Sequence, residues 1–221
     1  MWEPQIVPLS RSCRVVAPDR RGFGRSTAPP DLSAEPSDLL ALADALGLDR
    51  MVLVGMSQGA RPALQLALRH PRRVAGLILQ GAPLDGFEPR PRGEDAIPLA
   101  LYRDHVRAGR IDEMKALWRA HPLMRGVDAG PLLDGYDGRD LLVPDMPAEP
   151  LAGSLSEIEA PALVLTGESD VPWRQLVGDA LAYGLPNARR ARIPGGHLCN
   201  LDNPDDYNAL VAAFVAEVAR C

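Results

Sequence analysis

The sequence lacks any uninterrupted apolar run near the roughly twenty residues that a membrane span needs. Its first residues, Met1-Trp2-Glu3-Pro4, also lack the basic-then-apolar layout of a secretory leader. Cysteine is scarce. Cys13, Cys199 and Cys221 are odd in number and widely spaced, which speaks against a disulfide framework and matches no metal-ligand pattern, so free thiols and no bound metal are expected. A surplus of positive charge is missing too: the net charge is -5, acids and bases are interspersed, and basic residues gather only in short pairs such as Arg72-Arg73. No face is offered to nucleic acid. The expectation is a cytoplasmic protein with a small-molecule partner and neither membrane nor nucleic-acid contacts. Its 221 residues suffice for one domain with a sizeable core and an inserted subdomain.

The most informative feature present is Gly55-Met56-Ser57-Gln58-Gly59, a serine between two glycines. Before it, residues 51–54 form a short, bounded apolar run, as expected of a strand buried on both faces of a parallel sheet. After it, Ala60, Ala63, Leu64, Ala67 and Leu68 follow one helical face, and Pro71 sets the stop. A strand turning sharply into a helix pushes one side chain into a strained, exposed position, and glycines on either side remove Cβ atoms that would collide. A nucleophile requires such a position.

Strand-like and helix-like runs alternate through the first third: residues 14–17, then 37–46, then the strand and helix around Ser57, then 74–80. Alternation of this kind predicts an α/β fold, a mostly parallel sheet flanked by crossover helices. In the 37–46 run, Ser37 is the predicted cap and Gly47 the stop. Between residues 84 and 154 the pattern changes to amphipathic helices and proline-rich connections, with Ile97, Leu101, Ile111, Met114, Leu117 and Trp118 at the apolar positions. This stretch reads as an insertion that divides the core into 1–83 and 155–221. Strands resume at 162–166 and 188–193, and a last helix is predicted from the cap Asn203, with Leu210, Val211, Phe214 and Val218 facing inward.

A serine hydroxyl is a poor nucleophile at neutral pH and needs a base, with a third group to hold that base in the right tautomer. Of the four histidines, His70 and His121 precede prolines at predicted helix ends and His105 lies mid-helix in the insertion. His197 follows Pro194-Gly195-Gly196 at the end of a predicted strand, where sheet enzymes mount their chemistry. For the acid, Asp170 closes the turn after the strand ending at Thr166, on the sheet edge shared with Ser57 and His197. Asp85, after the strand ending near Gln80, is a rival, and Glu168 a lesser one.

The order Ser57, Asp170, His197 is the triad order of the α/β-hydrolases, and the chain resembles that family in four motifs. Asp19-Arg20-Arg21-Gly22-Phe23-Gly24-Arg25-Ser26 looks like its Asp-x-Arg-Gly-x-Gly-x-Ser loop. Residues 55–59 look like its nucleophile elbow, 167–170 like its acid loop and 195–200 like its histidine loop. The similarity is nearest to capped esterases, enol-lactonases and cofactor-free haloperoxidases. It implies an acyl-enzyme on Ser57, proton relay by His197, stabilisation of the imidazolium by Asp170, and a backbone N–H from Gln58 in the oxyanion hole. No cofactor is implied. Haloalkane dehalogenases resemble the chain too, but use an aspartate nucleophile.

The same resemblance makes 84–154 a lid over the site, where Met114, Trp118, Met124, Leu132 and Tyr136 are candidates to line a pocket for a small ester or lactone. Perhydrolase or haloperoxidase chemistry on the same triad, and a non-catalytic binding protein, are the alternatives. Family members carry further strands before the point where this chain begins, and a His-Gly loop that supplies a second oxyanion donor. Residues 2–9 look like the helix after that loop, and 14–17 like the family's fourth strand. The resemblance thus implies an N-terminally incomplete fold with impaired turnover. A start upstream of Met1, a degenerate fragment, or a gap closed by neighbouring strands or by a second copy in a homo-oligomer all remain open.

Overall fold

The computed structural model describes residues 1–88, 90, 93, 96–143 and 150–220. Its centre is a four-stranded parallel sheet in the spatial order β1 (Met51–Met56), β2 (Val74–Gln80), β3 (Ala162–Gly167), β4 (Ala188–Ile193). Side chains alternate between the sheet's faces, as the pleat requires. Leu77, Leu79 and Val164 enter one apolar cluster, while Ile78, Leu163 and Leu165 enter another on the opposite face. Helices α2 (Glu35–Ala45), α3 (Ala60–Arg69) and α7 (Pro172–Gly184) cover the first face. Helices α1 (Glu3–Leu9) and α9 (Pro204–Val218), the latter preceded by the single turn α8 (Cys199–Asp202), cover the second, where Val211 and Phe214 are buried and Leu210 and Val218 pack beside them. Asn203 caps α9 by accepting from the Asp206 N–H, as the pattern predicts.

In the sheet domain, the strand at 14–17 and the cap at Ser37 fail to form. Residues 14–17 form no strand, because a strand exists only by pairing and no ladder partner lies beside this segment among the described residues. Val15 packs on the second-face cluster while Val16 stays exposed. β1 is consequently an edge of the described sheet, with Val54 40% exposed. Ser37 does not cap α2. The helix starts two residues earlier, with Pro36 in its first turn and Ala34 at the cap position, while Gly47 follows its end at φ 66° as predicted.

The stretch between β2 and β3 holds α4 (Leu99–Arg107), α5 (Ile111–Ala120) and the single turn α6 (Gly130–Leu133). This layer has its own core of Tyr102, Val106, Met114 and Leu141, against which Ile97, Ile111, Leu117 and Trp118 pack. Leu101, predicted to point inward, is exposed, because Tyr102 takes the inner position one residue on. The layer meets the sheet domain at loops beyond the strands. Arg139 Nε donates to the Gly22 carbonyl at 2.9 Å, and the Tyr136 and Phe23 rings stack with centroids 6.3 Å apart.

Candidate active site

β1 stays extended through Met56, and at Ser57 the backbone switches to φ 48° before a 3-10 turn, Ser57–Gly59, runs into α3. Ser57 is the one described non-glycine residue with positive φ, a conformation that costs on the order of 1–3 kcal/mol. Gly55 makes this turn possible: a Cβ there would stand 2.6 Å from Ala60 Cα and from the Gly59 carbonyl oxygen. Gly59 is not constrained in the same way, since a Cβ there meets nothing nearer than Arg20 Nη1 at 3.9 Å. Of the two glycines in the motif, the close approach needs only the first. Gln58 lies in the first turn of this stack, where backbone N–H groups have no intrahelical acceptor. Its side-chain oxygen accepts from Arg20 Nη2 at 2.9 Å, and Arg20 is held in turn by two bonds to Glu35.

The acid and histidine loops are laced together by their backbones. Glu168 N–H donates to the Ile193 carbonyl at 2.8 Å and Ser169 N–H to the Gly195 carbonyl at 2.9 Å. Gly167 lies so close to the histidine loop that a Cβ would be 2.0 Å from the Gly196 oxygen. Asp170 Oδ1 accepts from the Val171 N–H at 2.8 Å, which turns Oδ2 toward His197 Nδ1 at 2.9 Å. A second set of bonds anchors the histidine from below. Buried Gln80, at the end of β2, donates through Nε2 to the His197 carbonyl at 3.0 Å and to Asn200 Oδ1 at 2.9 Å, and Gln5 of α1 donates to the Asn200 carbonyl.

Asp170 and His197 are therefore joined directly. No hydrogen bond joins Ser57 to this pair; Met56, the residue before it, pairs in the sheet with Gln80, the residue before Gly81. The His197 ring lies against Gly81, where a Cβ would be 2.6 Å from Cε1. Because a carboxylate only accepts, Nδ1 carries the proton and Nε2 keeps its lone pair. Burial, the largest influence, lowers the His197 pKa below its ordinary 6.5, while the bond to Asp170 and its charge oppose that shift. Arg174 and His121 lie near enough to push the same way as burial. The ring is thus neutral at neutral pH, with Nε2 able to accept a proton.

Cys199 lies on the same loop, and burial, reinforced by the charges of Asp170 and Asp202, pushes its thiol up to about 12. Iodoacetamide at pH 8 should leave Cys199 unmodified in the folded protein and alkylate it after denaturation, as read by peptide mass spectrometry. Fast native alkylation would mean that the histidine loop is open. Cys13 is half-buried and unbridged, and Cys221 lies outside the described residues.

Asp85 is engaged elsewhere, since Arg61 donates to both of its oxygens at 2.7 and 2.9 Å, and Glu168 is exposed. Met114 is fully buried in the core of the helical layer. Trp118, Met124, Leu132 and Tyr136 are each partly buried. Trp118 contacts both Tyr102 and His121, with ring centroids 5.0 and 5.7 Å apart. The linear pattern did not point to Arg20 as the partner of Gln58, to the Gln80, Asn200 and Gln5 anchor, or to Asp140 beside Tyr136. Among the described residues no three His, Cys, Asp or Glu side chains gather as a metal site would need. No helix among them is long and apolar enough to cross a membrane.

Residues 1–123 match the profile of the alpha/beta hydrolase fold. The chain belongs to the α/β-hydrolase family. This α/β-hydrolase is 30% identical to 2-hydroxy-6-oxononadienedioate/2-hydroxy-6-oxononatrienedioate hydrolase 2 of Pseudomonas putida, over 94% of the chain and 78% of that protein. It is 31% identical to a Caulobacter protein named as a carbamate hydrolase, RutD, over 97% of the chain and 85% of that protein. Among solved structures, a thermophilic esterase from Thermogutta terrifontis superposes with a TM-score of 0.79 at 26% identity, over 98% of this chain and 85% of that one. The enol-lactonase of Burkholderia xenovorans gives 0.78 at 24% identity over 97% and 85%, a likeness of fold.

Proposed function

We propose that this α/β-hydrolase cleaves a small carboxylic ester or lactone through an acyl-enzyme on Ser57. The observation that carries the reading is the buried Asp170 and His197 pair beside Gly81, together with a serine held at positive φ where β1, the strand paired with β2, ends. Ser57 Oγ attacks the carbonyl carbon as His197 Nε2 takes the hydroxyl proton, and the Gln58 N–H stabilises the resulting oxyanion. Collapse of the intermediate breaks the bond to the alkoxide, which leaves with the proton from Nε2. In a lactone that alcohol stays tethered to the acyl group. Water then attacks the ester on Ser57, gives one proton to Nε2, and the second collapse returns it to Ser57. Asp170 holds Nδ1–H throughout and stabilises the imidazolium without taking the proton. Helices α4 to α6 serve as the lid of the 84–154 insertion, which docks through Tyr136 and Arg139 on the 22–23 loop.

The test is labelling with a fluorophosphonate probe. The wild-type protein should be modified at Ser57 and lose ester hydrolysis in proportion, while Ser57→Ala should take no label and retain turnover lower by a factor of about 10³ or more. A folded wild-type protein that takes no label is a binding protein and not a serine hydrolase.

A further inference from the structure

Two buried amides in this fold bond a backbone carbonyl while their own oxygens go unused. Gln80, fully buried, donates through Nε2 to the His197 carbonyl at 3.0 Å and to Asn200 Oδ1 at 2.9 Å. Asn208, on α9, donates through Nδ2 to the Pro4 carbonyl of α1 at 2.9 Å. A carbonyl only accepts, so each amide is fixed with its nitrogen toward its partner. Among the described residues no protein group donates to Gln80 Oε1 or to Asn208 Oδ1, although both atoms are shut away from solvent. An acceptor that no protein group satisfies adds nothing to folding. Each amide is therefore of use through its nitrogen alone, and its purpose depends on the carbonyl it holds.

The two carbonyls differ in kind. The Asn208 bond joins one helix to another. The Gln80 bond holds the histidine loop, which follows β4, a strand at the edge of the described sheet. Gln80 itself lies on β2, which is paired on both sides, Gln80 with Met56 of β1 and with Leu165 of β3. Its side chain thus ties an edge loop to a strand that the sheet keeps in place. Asp170 grips the His197 ring at Nδ1, and Gln80 grips the same residue at its backbone. Two points of hold set the direction of the ring as well as its distance from Asp170.

Resting on the hydrolase reading above, we infer that Gln80 is a positioning residue that acts through His197, holding the imidazole in the orientation from which Nε2 takes the Ser57 proton. Misplacing a reacting group by about 1 Å can cost on the order of 10² in rate, whereas losing a bond between two helices leaves the site untouched.

The experiment compares Gln80→Met with Asn208→Leu, each of which removes an amide and keeps the side chain's bulk. With para-nitrophenyl acetate, kcat should fall about 10- to 100-fold in Gln80→Met while KM stays within about twofold, because the buried amide touches no substrate. Asn208→Leu should keep both constants near wild type, and the two variants should melt within a few degrees of each other. Proton NMR reads the same hold without turnover: the His197 Nδ1 proton should exchange with water at least about tenfold faster in Gln80→Met and at the wild-type rate in Asn208→Leu. If Gln80→Met does not fold, Gln80→Asn, which keeps the amide but shortens its reach by a methylene, decides by the same readouts. This pattern of exchange in a wild-type protein without turnover would keep Gln80 as the holder of His197 and discard the hydrolase. Unchanged kcat or unchanged exchange in a folded Gln80 variant, or losses that Asn208→Leu matches, would overturn the role of Gln80 while fluorophosphonate labelling of Ser57 still upheld the hydrolase.

Discussion

Asp170→Asn should lower kcat by about 10³–10⁴ while the protein stays folded and Ser57 stays in place. The amide can present its N–H₂ to Nδ1, which then accepts and forces the proton onto Nε2, the atom that must be bare to act as base. The lost carboxylate also removes the one influence that holds the His197 pKa up against burial. Because that pKa already lies below 6.5, the acid limb of kcat/KM in the wild-type protein should fall below pH 6.5, and in Asp170→Asn it should move lower still. The sign for stability follows from the same shift. A histidine whose folded pKa is depressed takes up its proton more readily when unfolded, so its contribution is complete above 6.5 and is lost as pH falls from there through the folded pKa. Asp85→Asn is the matched control. That carboxylate is bonded to Arg61 and should leave kcat within a few-fold of wild type. If Asp85→Asn inactivated and Asp170→Asn did not, the assignment of the acid would be reversed.

What the linear pattern made legible was what local physics decides. The apolar runs of 51–54, 74–80 and 162–166 announce strands and all three form, the last two at the centre of the sheet and the first at its described edge. Asn203-Pro204-Asp205-Asp206 reads as a helix start because each of those residues acts on its own first turn. Ser57, Asp170 and His197 each follow a recognisable strand, and in a parallel sheet the ends of β1, β3 and β4 lie along one edge. Residues 14–17 could not be settled this way. Four residues of strand composition say nothing about whether a neighbour is within pairing distance. The Gln80 anchor was hidden for the converse reason: a glutamine in an apolar run looks like an interruption until its partners, 117 and 120 residues away, are known.

Gly81→Ala should remove at least about 99% of turnover, an expectation set by the cost of displacing a reacting group by roughly 1 Å. Gly81 has φ 51°, and the added methyl would lie 2.6 Å from Cε1 and 2.7 Å from Nδ1 of His197, and 3.2 Å from Asp170 Oδ2. The ring cannot retreat without breaking something, because Nδ1 is held by Asp170 and the backbone carbonyl by Gln80. Nor can the methyl retreat easily, since the Gly81 N–H is tied to the Leu165 carbonyl at 2.9 Å. The folding cost should be smaller in proportion, about 1–2 kcal/mol for an L-residue at positive φ, and visible as a modest drop in Tm. Fluorophosphonate labelling should slow alongside turnover, because both need the His197 base. Gly59→Ala supplies the contrast. Its methyl has open space and ordinary φ, so activity should stay near wild type. Full activity in Gly81→Ala would mean that His197 does not act from the position in which Asp170 and Gln80 hold it, and the proton relay would have to be assigned to another group.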